Sequence, residues 1–133
     1  MYLLTLFATA TGGSDTRSQR QALPKCNVLV GTPGRICQFL DERKLSLQSI
    51  DYLVIDEADR LLDMRFERDL TSISRSLRQN NRQSVLCSST VPIGVQRLAA
   101  DFLSERYYLV SVGKVGGTHS QNQQKFEWVD IFV

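Results

Sequence analysis

The sequence predicts an α/β protein built on a parallel β-sheet with helices on both faces, and three observations carry that prediction. Short runs rich in branched apolar residues alternate with segments of helical periodicity along the 133 residues. Each apolar run ends in a polar or glycine-rich motif. The segments between the runs are long enough to hold helices, which favours parallel strands joined by right-handed crossovers. The motifs are therefore expected at one edge of the sheet, where open α/β sheets bind ligands.

The bulk composition is that of one ordinary globular domain. The chain is 42% hydrophobic and 23% charged, and its net charge of +2 is too small to indicate a nucleic-acid partner by itself. Three widely spaced cysteines, Cys26, Cys37 and Cys87, form no zinc pattern and no disulfide framework, which favours an intracellular location. No stretch approaches the roughly 20 apolar residues needed to cross a membrane, so no membrane partner is expected.

The first half of the chain predicts two strands and a helix after the second. Residues 1–10 are interpreted as a first strand rather than a secretion signal, because no basic residue precedes the apolar run. A glycine turn follows at residues 11–14, and the polar residues 15–21 predict a short helix or a loop. Residues 28–30 predict the second strand, after which Thr32 serves as N-cap and Pro33 as first residue of a helix.

The second half predicts three further strands and two helices. Residues 52–55 form a continuous apolar run, which predicts a strand buried on both faces. A helical stripe follows at Phe66, Leu70, Ile73 and Leu77. The remaining predictions are a turn at Asn80 and Asn81, a strand over residues 84–87, a helix opened by Pro92 with Val95, Leu98, Ala99 and Phe102 buried, and a strand over residues 107–112. Leu45 and Leu47 are expected to pack in the connection at residues 41–49.

Three carboxylates follow the strand at residues 52–55 directly. Asp56, Glu57 and Asp59 lie at its carboxyl end, where acidic side chains hold a divalent metal or activate a water molecule. The alternative is that Asp56 and Asp59 cap the helix that follows, because aspartate is a favoured N-cap residue. The density of carboxylates immediately after a buried strand favours the metal or water site.

The strand-end motifs, in this order, resemble those of the DEAD-box RNA helicases. Asp56-Glu57-Ala58-Asp59 matches the motif that names that family, and Ser88-Ser89-Thr90 stands where the family has Ser-Ala-Thr. Thr32-Pro33-Gly34-Arg35 matches the RNA-backbone motif, and Gly12-Gly13 matches the double glycine before it. The flanking segments look like the Vasa and Belle branch; they are Arg60-Leu61-Leu62-Asp63-Met64, Ala99-Ala100-Asp101-Phe102-Leu103 and Val112-Gly113-Lys114-Val115-Gly116.

The resemblance implies a RecA-like domain of the P-loop NTPase type with ATP and Mg²⁺ as cofactors. Asp56 would hold Mg²⁺ through water, and Glu57 would orient or deprotonate the water that attacks ATP. Asp59 would hydrogen-bond Ser88 and Thr90 and so couple the nucleotide edge to RNA. The implied RNA-backbone residues, which would contact RNA without reading its sequence, are Gly12, Gly13, Thr32, Pro33, Gly34 and Arg35. The alternative for Thr32-Pro33-Gly34-Arg35 is that these residues only cap a helix.

Several parts of the family pattern are missing from these residues. No Gly-x-x-x-x-Gly-Lys-Ser/Thr phosphate loop occurs, and the second RecA-like domain is absent too. Residues 1–113 are therefore interpreted as the C-terminal portion of the first RecA-like domain without the phosphate-loop strand, and residues 114–133 as a linker-like tail. The strands that would flank the missing one are expected to expose edges and apolar faces.

Two functions remain open on this reading. The first is an ATP-dependent RNA helicase, present here as a fragment that hydrolyses no ATP alone. The second is a non-catalytic product that binds RNA or a helicase partner without ATP turnover. The resemblance places either in the cytoplasm or nucleus, including ribonucleoprotein granules.

Two departures from the family pattern are point differences. Ser89 replaces alanine, and its small hydroxyl is expected to be tolerated. Arg65 stands where relatives carry glycine, and a positive φ there would cost about 1 kcal/mol.

Overall fold

The computed structural model describes residues 5–78 and 82–113. Its strands are β1 (Phe7–Ala10), β2 (Val28–Gly31), β3 (Tyr52–Ile55) and β4 (Gln83–Leu86). Its helices are α1 (Thr16–Ala22), α2 (Pro33–Asp41), α3 (Ala58–Asp63), α4 (Glu67–Ser76) and α5 (Ile93–Phe102), and a short 3-10 helix spans Leu23–Lys25. Strands and helices alternate, so the α/β prediction is confirmed.

The strands form two parallel pairs. β1 pairs with β2 from Phe7 opposite Val28 to Ala10 opposite Gly31. β3 pairs with β4 from Tyr52 opposite Gln83 to Ile55 opposite Leu86. In the part of the chain that the structure describes, no hydrogen-bonded ladder joins one pair to the other. The parallel pairing is as predicted, but it forms two small sheets in place of one continuous sheet.

One face of each strand pair is open. Tyr52 and Val54 are 73% and 64% exposed, so the prediction that β3 is buried on both faces is wrong. Phe7, 70% exposed, lies beside the exposed Val28 on the corresponding face of the other pair. Alternate residues such as Ile55 are buried, because side chains along a strand point to opposite faces. The exposed apolar faces expected from the missing strand are present.

The helices enclose the core on the covered faces. Val95 and Phe102 of α5 are fully buried and form one cluster with Leu70 and Ile73 of α4. A smaller cluster surrounds Phe39 of α2. The predicted packing residues are confirmed, since Leu47 is buried and Leu45 contacts both clusters; Ile36 also contacts both.

Helix α2 is attached to α4 by a side-chain hydrogen bond. The Sγ of Cys37 donates to the backbone oxygen of Asp69 at 3.3 Å. Burial raises the pKa of this thiol, and the nearby Asp69 carboxylate adds to the effect. Cys37 is therefore a packing residue that stays protonated at neutral pH.

Two helix starts follow the predicted proline and threonine signals. Thr32 is the N-cap of α2 and Pro33 its first residue, as predicted. Pro92 is the N-cap of α5 rather than its first helical residue. These signals are local, which explains why the sequence locates both helices to within one residue.

The predicted strand over residues 107–112 is wrong. The segment has no strand geometry and is exposed throughout, with Tyr108 at 96%. A β-strand depends on a neighbour for its backbone hydrogen bonds, and no partner is supplied by the described residues. The predicted turn at Asn80 and Asn81, and the tail at residues 114–133, lie outside the described residues. Within the described residues, no helix has both the length and the apolar character that crossing a bilayer requires.

Candidate functional site

The carboxyl ends of β3 and β4 place two of the sequence motifs side by side. The backbone N–H of Cys87 donates to the oxygen of Ile55 at 2.8 Å, which extends the strand pairing by one step. The N–H of Ala58 then donates to the oxygen of Cys87 at 3.0 Å. Helix α3 therefore begins directly against the end of β4, and the acidic motif meets the Ser88–Thr90 segment there.

Asp56 and Glu57 lie at the turn between β3 and α3, and both are exposed. Oδ1 of Asp56 accepts the N–H of Glu57 at 2.9 Å. Glu57 is the N-cap of α3 with left-handed backbone angles, φ 50° and ψ 49°, and its own side chain makes no cap hydrogen bond. Neither Asp56 nor Asp59 is therefore the N-cap of this helix, contrary to the capping alternative.

The carboxylate of Glu57 is paired with a neighbouring arginine. Its Oε2 accepts from Nη1 of Arg60 at 2.8 Å, and this hydrogen bond raises the pKa of the guanidinium. Both side chains are largely exposed, so water screens the pair and its net stabilisation is small. Glu57 can leave this contact at little cost.

Asp59 connects α3 to the segment after β4. Its Oδ2 accepts three hydrogen bonds, from Oγ of Ser89 at 2.6 Å, Oγ1 of Thr90 at 2.7 Å and the N–H of Thr90 at 3.0 Å. Its Oδ1 accepts the N–H of Arg60 at 3.0 Å. The hydroxyls of Ser89 and Thr90 hold the pKa of Asp59 well below its usual range, because these hydrogen bonds favour the charged form.

Ser88 takes part in the same network through the backbone. Its Oγ accepts the N–H of Asp59 at 3.2 Å and donates to the oxygen of Thr90 at 2.6 Å. The expected partners of Asp59 were Ser88 and Thr90. The structure brings all three together, but the carboxylate contacts are made by Thr90 and by Ser89, which sequence reasoning treated as a neutral replacement.

The carboxyl ends of β1 and β2 bring the other two motifs together. The N–H of Thr32 donates to the oxygen of Ala10 at 2.9 Å. Gly12 and Gly13 follow β1 and are exposed, and Gly13 has a positive φ of 75°. A Cβ on either glycine would have no atom within 4 Å, so another molecule can approach the backbone closely here.

Arg35 ties this glycine turn to α2. Its Nη1 donates to Oε1 of Gln19 at 3.0 Å and to the oxygen of Ser14 at 3.4 Å. Its guanidinium lies over the ring of Phe39, 5.8 Å from the centroid. The aromatic ring and the amide fix the position of this charge beside the glycine turn.

The other members of the motif have unequal access to solvent. Thr32 is exposed, and its side chain makes no cap hydrogen bond to α2. Pro33 is buried, and Gly34 faces α4, since a Cβ on it would lie 3.6 Å from Oδ2 of Asp69. The first N–H groups of α2 have no partner within the helix, as at any helix start, and so are suited to an anion.

The residues present fit part of a metal–nucleotide site. Asp56 offers an exposed carboxylate, which suits Mg²⁺ because this ion keeps several waters and needs only one or two protein ligands beside phosphate oxygens. Among the described residues there is no cluster of three or more side chains that could hold a metal directly. The 133 residues contain no phosphate-loop sequence, so the residues present match only the metal and water side of such a site and not its phosphate cradle.

The fold and the strand-end motifs identify the class of protein. The chain forms part of a RecA-like domain. A match to the DEAD/DEAH box helicase family spans residues 3–98. The chain belongs to this family.

Three solved structures show the same fold. A DEAD box protein from the hyperthermophile Methanococcus jannaschii is 31% identical, with a TM-score of 0.72 over 77% of this chain and 28% of that one. A hypothetical ATP-dependent RNA helicase from Sulfolobus tokodaii is 28% identical, with a TM-score of 0.70 over 77% of this chain and 31% of that one. The yeast DEAD-box splicing factor Prp28 is 27% identical, with a TM-score of 0.68 over 75% of this chain and 23% of that one. The chain therefore spans less than a third of each of these proteins.

Proposed function

We propose that this chain carries part of the first RecA-like domain of a DEAD-box ATP-dependent RNA helicase. Residues 1–113 would belong to that domain and residues 114–133 to a linker towards a second one. The observation that carries the proposal is the hydrogen-bond network from Asp59 to Ser89 and Thr90, because it joins the acidic motif to the neighbouring strand end. We also propose an intracellular location, in cytoplasm, nucleus or ribonucleoprotein granules, and membership of the Vasa and Belle branch on the flanking segments.

The nucleotide side of the function rests on Asp56 and Glu57. Bound Mg²⁺ and ATP would supply the phosphoryl group and neutralise its charge. The exposed carboxylate of Asp56 would hold the water shell of the metal. The carboxylate of Glu57, released from Arg60, would accept the proton of the attacking water.

The RNA side rests on the motifs at the ends of β1 and β2. The helix start at Thr32, the charge of Arg35 and the open backbone at Gly12 and Gly13 suit a phosphate of single-stranded RNA or a short duplex. Contacts of this kind to the RNA backbone carry no sequence information, so the proposed binding is independent of sequence.

A second candidate is a non-catalytic chain that binds RNA or a helicase partner without ATP turnover. The open apolar faces, including Tyr52 and Val54, favour a protein partner. The missing phosphate loop argues against ATP turnover by these 133 residues. Both candidates share the RNA site and differ in the fate of ATP.

RNA binding is tested by fluorescence anisotropy with a labelled single-stranded oligonucleotide of mixed sequence. We expect Arg35→Ala to weaken binding equally for all sequences and to reduce the salt slope by about one, because one phosphate contact is lost. Arg97→Ala on α5 removes the same charge away from the motifs and should have no effect. Equal affinities for the two variants would contradict the RNA site.

The fate of ATP separates the two candidates. We expect no micromolar binding of fluorescent ATP by the 133-residue chain, and such binding would overturn the argument from the missing phosphate loop. A chimera is made by placing residues 5–98 in the corresponding part of the Methanococcus jannaschii protein, and it should show RNA-stimulated ATP hydrolysis. Glu57→Gln should abolish this hydrolysis. Glu67→Gln, on α4, is the control and should preserve it. A folded chimera that binds RNA without hydrolysing ATP would favour the non-catalytic candidate.

A further inference from the structure

Ser89 differs from the alanine of the family pattern, and its hydroxyl has a specific partner. The residue is exposed, so water could satisfy the hydroxyl at no cost. Its Oγ lies instead 2.6 Å from Oδ2 of Asp59, on a different element of the fold. An alanine could not make this bond.

The bond of Ser89 completes a set of three donors on one carboxylate oxygen. Thr90 supplies the other two, through Oγ1 and the backbone N–H. Hydrogen bonds to an ionised acceptor are about twice as strong as those between neutral groups. Of the groups that lower the pKa of Asp59, the Ser89 hydroxyl has the largest effect, which agrees with the short distance.

The neighbouring Ser88 cannot supply the same contact in this arrangement. Its hydroxyl donates its single proton to the backbone oxygen of Thr90 at 2.6 Å and accepts from the N–H of Asp59. The hydroxyl therefore shapes the turn and has no proton left for the Asp59 carboxylate. That position is taken by Ser89.

We propose that Ser89 is a positioning residue that fixes the Asp59 carboxylate against the segment of residues 88–90. Through this bond the start of α3 and the segment after β4 move as one unit. The meaning of this unit for RNA coupling rests on the proposed function, but the bond exists independently of nucleotide and RNA. Its disruption is therefore measured on the chain alone.

The test is amide hydrogen exchange, followed by NMR on the 133-residue chain without RNA or nucleotide. We expect Ser89→Ala to speed exchange at the N–H groups of Thr90 and Arg60 about tenfold, because both donate to the Asp59 carboxylate and the charge-assisted bond that holds this carboxylate in place is lost. Ser89→Thr keeps the hydroxyl and should stay within about twofold of the parent chain. Ser104→Ala, which removes a local bond to the oxygen of Arg106, is the matched control and should change neither amide.

The buried amide of Leu98 on α5 serves as the internal reference. If Ser89→Ala speeds amide exchange at Leu98 as much as at Thr90, the substitution acts on global stability, and the proposal is overturned. Unchanged exchange at Thr90, or equal loosening by Ser89→Ala and Ser89→Thr, also overturns it. None of these outcomes depends on RNA binding, so a failure of the helicase function would be recognised separately.

Discussion

Gly31 and Ala10 face each other so closely across β1 and β2 that no side chain fits between them. A Cβ on Gly31 would lie 2.8 Å from the backbone oxygen of Ala10 and 3.0 Å from Cγ1 of Ile36. Because the oxygen belongs to the backbone, the strands would have to move apart. We expect Gly31→Ala to lower the free energy of unfolding by about 1–3 kcal/mol, measured by urea denaturation.

Gly12→Ala is the matched control for this prediction. A Cβ on Gly12 has no atom within 4 Å, so the substitution should leave the midpoint of unfolding nearly unchanged. Equal effects of the two variants would mean that the close approach of the strands does not account for the glycine at position 31.

Arg65 has a positive φ of 63°, as expected for a position where relatives carry glycine. Glycine adopts this conformation without the steric cost that arginine pays. We expect Arg65→Gly to raise the free energy of unfolding by about 1 kcal/mol, read from the urea midpoint. Arg68→Gly lies inside α4, where glycine should destabilise by about the same amount. A destabilising Arg65→Gly would contradict this account.

Asp59 makes the free energy of unfolding of the chain depend on pH in the acid range. Its pKa in the folded state lies below the ordinary value of 3.8, so the unfolded chain binds this proton more readily. The stabilisation is complete above pH 3.8 and is lost as the pH falls towards the folded pKa. We expect Asp59→Asn to flatten the decline of the unfolding midpoint below about pH 4. Asp101→Asn, on exposed α5 surface, should leave the decline intact, and a similar flattening there would contradict the role given to Asp59.

The open apolar face of β3 predicts self-association. Tyr52→Ser and Val54→Thr replace exposed apolar side chains, so together they should lower light scattering at high protein concentration without lowering the unfolding midpoint. Val95→Thr places a hydroxyl in the buried core and should lower the midpoint. Unchanged scattering in the double variant would show that this face does not drive association.

Local signals in the sequence located most of the elements. Thr32 and Pro33 mark the start of α2, and the apolar spacing of Leu70 and Ile73 marks the buried side of α4. These signals act within a turn or two of helix, so they can be read without knowing the neighbours. The strand at Tyr52–Ile55 was found for the same reason.

Contacts between distant residues were not predictable in this way. Tyr107 and its successors have a strand-like composition but lack a pairing partner among the described residues. The prediction that the strand containing Val54 is buried on both faces was wrong, because burial depends on what covers the strand. The contact between Ser89 and Asp59 spans 30 positions, and the only hint in the sequence was that Ser89 departs from the family's alanine.

At Glu57 the left-handed backbone conformation lowers stability, while the side chain at the same position is needed for the proposed function. A non-glycine residue in this conformation costs about 1–2 kcal/mol, and here the carboxylate proposed to activate water is the residue that bears it. Glycine would relieve the backbone but would remove the acid, so a search for stabilising variants would select against the carboxylate that the proposed function requires. A screen for thermal tolerance of this domain should therefore hold position 57 fixed, or it will enrich variants that lack this carboxylate.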